Sequence, residues 1–258
     1  MALARRSENG IVLARAPNGI GWIYREIQDP RTAIEHDEDG VETARSAKVT
    51  EAEANALINL VYDYTAVGEQ GRALAAMRRV DALFDRDNWN RWRFYDIRQQ
   101  AGGAEYWLAA RQLDRAEEHA RRLLSNAQRY DVPKYLAIAR RILGEIAAMS
   151  GDLDVAEEQL QLSIEPFGKT PAPLAEWRCH AVLGKVLLQG GKHPAAAREA
   201  FARAAGVIQQ IAANIADPEL RSGFLGAHDV RQVLSESGQP FLISVGNRSR
   251  PMGDPHER

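Results

Sequence analysis

The stretch GDLDVAEEQL, residues 151–160, has the form of a helix start: a turn glycine, acidic residues, then an alanine among apolar positions. The chain says nearly the same at residues 68–77, GEQGRALAAM, and again at 190–200, GGKHPAAAREA. Taking one alanine per copy as an anchor gives Ala33, Ala73, Ala116, Ala156 and Ala196, separated by 40, 43, 40 and 40 residues. Twelve residues before each anchor stand Gly21, Val61, Ala104, Gly144 and Gly184. Nine before stand Tyr24, Tyr64, Trp107, Ala147 and Leu187. Five before stand Gln28, Gly68, Arg111, Gly151 and Gly191, and four after stand Asp37, Met77, Ala120, Leu160 and Ala200.

These columns describe a helical hairpin. Small residues such as Gly144 and Gly184 let two helices approach where a larger side chain would hold them apart. An aromatic or leucine at helical spacing, Tyr64 or Leu187, fills the space beside that contact. The turn glycine ends the first helix in a left-handed conformation, and the anchor alanine sits early in the second helix. A single hairpin cannot bury both faces, so neighbours must stack. Thr50 with Glu53 forms a capping-box pattern, and Pro133 and Pro173 stand where helices begin. Only FLISV, near the C-terminus, alternates in a way that suits a strand.

The expectation is an all-α, right-handed α-solenoid of about five helix-turn-helix repeats with a C-terminal capping segment. The repeats occupy residues 17–236. Residues 1–16 form a leader, flexible or folded back, because Pro17 interrupts a helix. Residues 237–258 form a disordered tail rich in glycine, proline and polar residues.

Composition narrows the function. Of 258 residues, 33 are basic and 35 acidic, giving a net charge of −2. That supplies no field for nucleic acid or an anionic membrane surface, and no segment approaches the roughly 18 apolar residues of a membrane span. Arg5 and Arg6 precede an apolar run too short for a signal segment. One cysteine, Cys179, precludes an intrachain disulfide and a cysteine-based zinc site. The expected location is cytoplasmic.

The small–aromatic–alanine columns resemble the tetratricopeptide repeat, over about residues 17–216, with a period lengthened from about 34 residues to 40. The longer form is similar to the helical arrays of large bacterial signalling regulators such as MalT-like ATPases, and residues 217–234 look like the end of such arrays. Gln28 and Arg111 depart from the pattern where a turn glycine is usual. Asp37 departs in an apolar column, which makes the first copy degenerate or an end cap.

The resemblance implies that the first helices line a concave face that holds an extended peptide. By column this brings forward Asn55, Tyr62, Arg98, Glu105, Arg141, Glu145, Arg178 and Lys185 as partner-binding residues. Ile58, Thr65, Ala101, Leu108, Ile138, Ala181 and Leu188 share those columns. The lysine–asparagine pairing with which the family clamps acidic tails is missing.

Three other clusters carry residues that could do chemistry. EHDEDG, residues 35–40, groups a histidine with four carboxylates, but the spacing is not that of a calcium loop; a solvated helix end at Gly40 explains it. NWNRWRFYDIR, residues 88–98, interleaves aromatics and arginines as base-stacking surfaces do; inward aromatics and outward arginines explain it as well. Cys179 and His180 point about 100° apart on a helix, and His119 and His180 suit packing. No catalytic, metal or cofactor motif emerges. The reading is a non-catalytic scaffold or adaptor binding a protein or peptide, with a peptide- or ligand-sensing regulatory array as the alternative. The apolar circumference of NGIGWIYREI, residues 18–27, implies self-association or docking of another protein at the N-terminal repeat.

Overall fold

The computed structural model describes residues 10–86, 92–191 and 193–238. Within these, five hairpins follow one another: α1 (Gly10–Glu26) with α2 (Pro30–Ser46), α3 (Thr50–Ala66) with α4 (Gln70–Arg86), and α5 (Trp92–Ala109) with α6 (Leu113–Arg129). Then come α7 (Pro133–Met149) with α8 (Leu153–Ile164), and α9 (Pro173–Gly190) with α10 (Pro194–Asn214). A 3₁₀ turn, Glu165–Gly168, extends α8, and α11 (Pro218–Gly226) and α12 (His228–Glu236) close the array. The described residues contain helices and turns and no strand. The protein is an all-α solenoid. Each first helix packs on its own second helix and on the first helices of adjacent copies, so α1, α3, α5, α7 and α9 form one inner layer. FLISV and most of the tail expected to be disordered lie outside the described residues.

The turns explain why non-glycine residues are tolerated in the turn column. Gln28 and Arg111 adopt φ of 67° and 56°, the left-handed geometry of Gly68, Gly151 and Gly191. Lys48 and Asp131 do the same at the ends of α2 and α6. In each case the next residue's N–H closes a six-residue loop: Asp29 to the Tyr24 carbonyl at 2.9 Å, Gln112 to Trp107 at 2.9 Å, Val132 to Ala127 at 2.9 Å. These loops satisfy helix-end carbonyls and outweigh the roughly 1–2 kcal/mol that a side chain costs in this conformation.

The structure moves one anchor. Ala33, Ala73, Ala116 and Ala156 are the fourth residues of their second helices and fully buried, but the fully buried fourth residue of α10 is Ala197. Ala196 is exposed. The fifth turn carries one extra residue between Gly191 and Pro194, which sequence columns without a gap could not place. The small-residue contact survives the shift. A Cβ on Gly144 would stand 2.7 Å from Leu160 Cγ, and one on Gly184 would stand 2.8 Å from Phe201 Cε2. Phe201 is 1% exposed, a burial worth about 1.5–3 kcal/mol.

Three further expectations are corrected. Helix α1 starts at Gly10 and runs through a buried Pro17, so residues 10–16 extend the first helix instead of folding back. A proline inside a helix costs about 3 kcal/mol, offset here by packing on α2 and α3. Residues 1–9 lie outside the described residues. The helix end expected at Gly40 is also absent: α2 continues to Ser46, and Asp37 and Gly40 are buried. Thr50 does not cap α3, whose N-cap residue is Val49, without a side-chain bond. Caps by side chains come instead from Asp29, Asp152 and Asp217.

Candidate functional site

The inner layer borders a half-open cavity of about 920 Å³ lined by residues of α1, α3, α5, α7 and α9 and by the start of α12. Six of the eight residues picked out by column line it: Asn55, Tyr62, Arg98, Glu105, Arg141 and Arg178. Glu145 lies behind Arg141 as its ion-pair partner, and Lys185 is exposed and away from the cavity wall. Thr65 and Ile138 line the cavity, while Ile58, Ala101, Leu108 and Ala181 are buried in the core. Of the aromatic–arginine cluster, Trp92 to Phe94 and the residues before them carry no described side chains. Tyr95 donates to Glu51 Oε1 at 2.8 Å.

One wall is organised by Asn59, which the column reading passed over. Its Oδ1 accepts from Arg25 Nη1 at 3.1 Å and from Arg98 Nη2 at 2.6 Å. Its Nδ2 donates to the Asn18 carbonyl at 3.0 Å and to Asp37 Oδ1 at 2.9 Å. Behind it, Asp37 and Asp63 are fully buried. Burial first, then the charge of Asp63, holds the Asp37 carboxyl well above the ordinary range; burial does the same to Asp63. Two carboxylates in one dry space cannot both ionise. Gly21 makes the room, since a Cβ there would stand 2.2 Å from Asp37 Oδ2.

A second ionic group sits deeper in the copies. Arg141, 9% exposed at its side chain, pairs with Glu105 and with Glu145. Burial works against the guanidinium's charge, and the two carboxylates more than restore it. For Glu145 the balance tips the other way: burial raises its pKa despite Arg141. Arg141 is therefore structural as well as lining. Reversing it to Glu would place three acids together.

The third group lies at a seam. Glu26, at the end of α1, accepts from Arg178 Nη1 of α9 at 3.1 Å, across 152 residues of chain. Ile27 packs against the C-terminal core built around Trp177, Phe201, Phe224 and Val233. In an open solenoid each copy touches only its neighbours; here the first copy also meets the fifth, and the superhelix closes around the cavity. Arg25 lies 3.9 Å from Glu26 and 4.8 Å over the Tyr62 ring. Lys134, at the start of α7, completes the group. Burial lowers its pKa, and Arg25, Arg178 and Arg98 add to that while Glu26 opposes it. The columns brought forward Arg98 and Arg178, but no periodic column predicts Arg25, Glu26 and Lys134, which occupy unrelated positions in copies one and four.

No family model matches the chain, and no curated protein does. Among solved structures, the crystal structure of the apo form of RapI has a similar fold. It superposes with a TM-score of 0.55 at 14% identity, covering 92% of this chain and 66% of that chain. This chain thus spans slightly less than two thirds of RapI's length. At that identity the likeness concerns the fold, a helical-repeat array. No described helix is long and apolar enough to cross a membrane, and no described group of three or more His, Cys, Asp or Glu could hold a metal ion.

Proposed function

We propose that the chain is a non-catalytic interaction module that holds a short peptide segment of a partner in the concave cavity. The observation that carries this is the cavity itself, of about 920 Å³ and walled by all five first helices. Pockets of about 300–1,000 Å³ take compact ligands or a few residues of chain. Its polar groups suit a peptide backbone. Asn55 lines it, and among the described residues its Oδ1 lacks a hydrogen-bond partner, as does Nδ2 of Asn18. A side-chain amide offers both donors and an acceptor. The charged groups are tied to one another in Arg141–Glu105, Arg141–Glu145 and Arg178–Glu26 pairs, an arrangement for recognition more than for proton transfer.

The seam between the first and fifth copies favours a second reading, a regulatory array of a bacterial signalling system. A ligand seated there would change how firmly the superhelix is closed. The lengthened tetratricopeptide-like repeat, the similarity to MalT-like arrays and a cytoplasmic setting belong to this reading.

Capture of pooled random hexapeptides by the full chain, read by mass spectrometry, tests the proposal. Defined sequences should be enriched, and a Thr65→Trp variant, which fills the cavity from a half-buried position, should lose them while melting normally. Equal capture by wild type and variant would remove the cavity from the function.

A further inference from the structure

The groups around the seam do not balance. Arg25, Arg98, Lys134 and Arg178 line the cavity within electrostatic reach of one another and of Glu26; the other charged lining residues are Arg141, paired with Glu105, and Asp229. Glu26 is shared by Arg178 at 3.1 Å and Arg25 at 3.9 Å. The guanidinium of Arg98 is occupied by Asn59. Lys134 has no carboxylate at ion-pair distance among the described residues; its ammonium stands 5.8 Å from the Tyr135 ring centroid. A cation taken partly out of water beside three others costs free energy unless an anion joins it. The fold therefore maintains a site whose electrostatics favour one more negative charge. The walls restrict its chemistry: Tyr62, with its hydroxyl donating to the Arg98 carbonyl at 3.3 Å, and Tyr135 flank the group. Guanidinium forks match planar carboxylates.

Resting on the peptide reading above, we infer that the Lys134 end of the cavity is the subsite for a carboxylate of the bound peptide. Lys134 is the point charge that meets it, with Arg25 and Arg178 at its sides. Glu26 holds part of the same positive field when the site is empty. The carboxylate comes either from the peptide's C-terminus or from an Asp or Glu side chain. The two share one chemistry and differ in how the peptide threads the superhelix.

Three hexapeptide pools separate these outcomes on the full chain. The first has free C-terminal acids and lacks Asp and Glu; the second is amidated and contains them; the third is amidated and lacks them. Enrichment from the first or second pool at least tenfold above the third, lost in Lys134→Met, is the expected result. A response confined to the first pool assigns the chain end, and one confined to the second assigns a side chain. Equal enrichment from all three pools would overturn the carboxylate subsite while leaving the peptide reading standing. A preference that survives Lys134→Met would overturn its placement. No enrichment from any pool would overturn both readings. The Lys134→Met chain should melt no lower than wild type, since the change removes a partly desolvated charge, and this keeps loss of capture distinct from loss of fold.

Discussion

Gly184→Ala should destabilise the protein, and Gly206→Ala, 22 residues along the same hairpin, should stabilise it. The added methyl at Gly184 would stand 2.8 Å from Phe201 Cε2 and 2.9 Å from both Cδ2 and Cζ. Phe201 is 1% exposed and packed within the cluster of Trp177, Ala204, Ala205 and Ile208, so its ring has no solvent to swing into. Overpacking of this kind costs about 1–3 kcal/mol. At about 2–4 °C per kcal/mol for a chain of 150–250 residues, the melt should fall by about 2–12 °C. Gly206 lies inside α10 with nothing within 4 Å of an added Cβ. There alanine should add about 0.5–1 kcal/mol through backbone entropy, raising the melt by about 1–4 °C. Scanning calorimetry of both variants beside wild type is sufficient. A Gly184→Ala protein that melts at or above wild type would mean that α9 and α10 do not approach as described.

The buried acids give a pH signature. An acid whose folded pKa is raised binds more protons folded than unfolded, so stability falls as pH rises from about 4, where the unfolded acids ionise, through neutrality. Asp37→Asn should flatten that decline, and parallel melting profiles of wild type and variant between pH 5 and 8.5 would refute the paired-acid arrangement. Arg141→Met should cost about 3 kcal/mol or more by stranding Glu105 and Glu145, measured by urea titration; a variant as stable as wild type would show the ion triad to be dispensable. Ile27→Asp should loosen the seam and increase the radius of gyration in small-angle scattering, and an unchanged radius would show that the C-terminal core does not depend on this contact.

Much of the fold was legible because its determinants are local and periodic. Small residues at 21, 144 and 184, and alanines at 33, 73, 116 and 156, are each set by a contact within one hairpin, and such contacts recur at fixed spacing. The slip at Ala196 came from one inserted residue, to which an ungapped column is blind. Column logic also brought Asn55, Tyr62, Arg98, Glu105, Arg141 and Arg178 to the cavity, because first-helix faces repeat. It missed Arg25 and Lys134 for the opposite reason: what brings them to one place is superhelical closure, a property of the summed rotation of all copies. It missed Asn59 because that side chain bonds to non-equivalent positions in the copies on either side. Asp37 looked like a fault in an apolar column, yet its meaning depended on Gly21 and Asp63, which lie 16 residues before it and 26 after it.

Closure also bears on how the molecule comes together. Most contacts of a stacked array span one or two hairpins, so copies can form early and in any order. The Glu26–Arg178 contact spans 152 residues, and the entropy of joining such distant points grows with the logarithm of the intervening length. It should therefore form last, after the intermediate copies have set the curvature that brings the ends within reach. Once formed, it pins a terminal hairpin that would otherwise fray first. Backbone amides of α2 should then exchange with solvent about as slowly as those of α4, a pattern foreign to an array with two free ends.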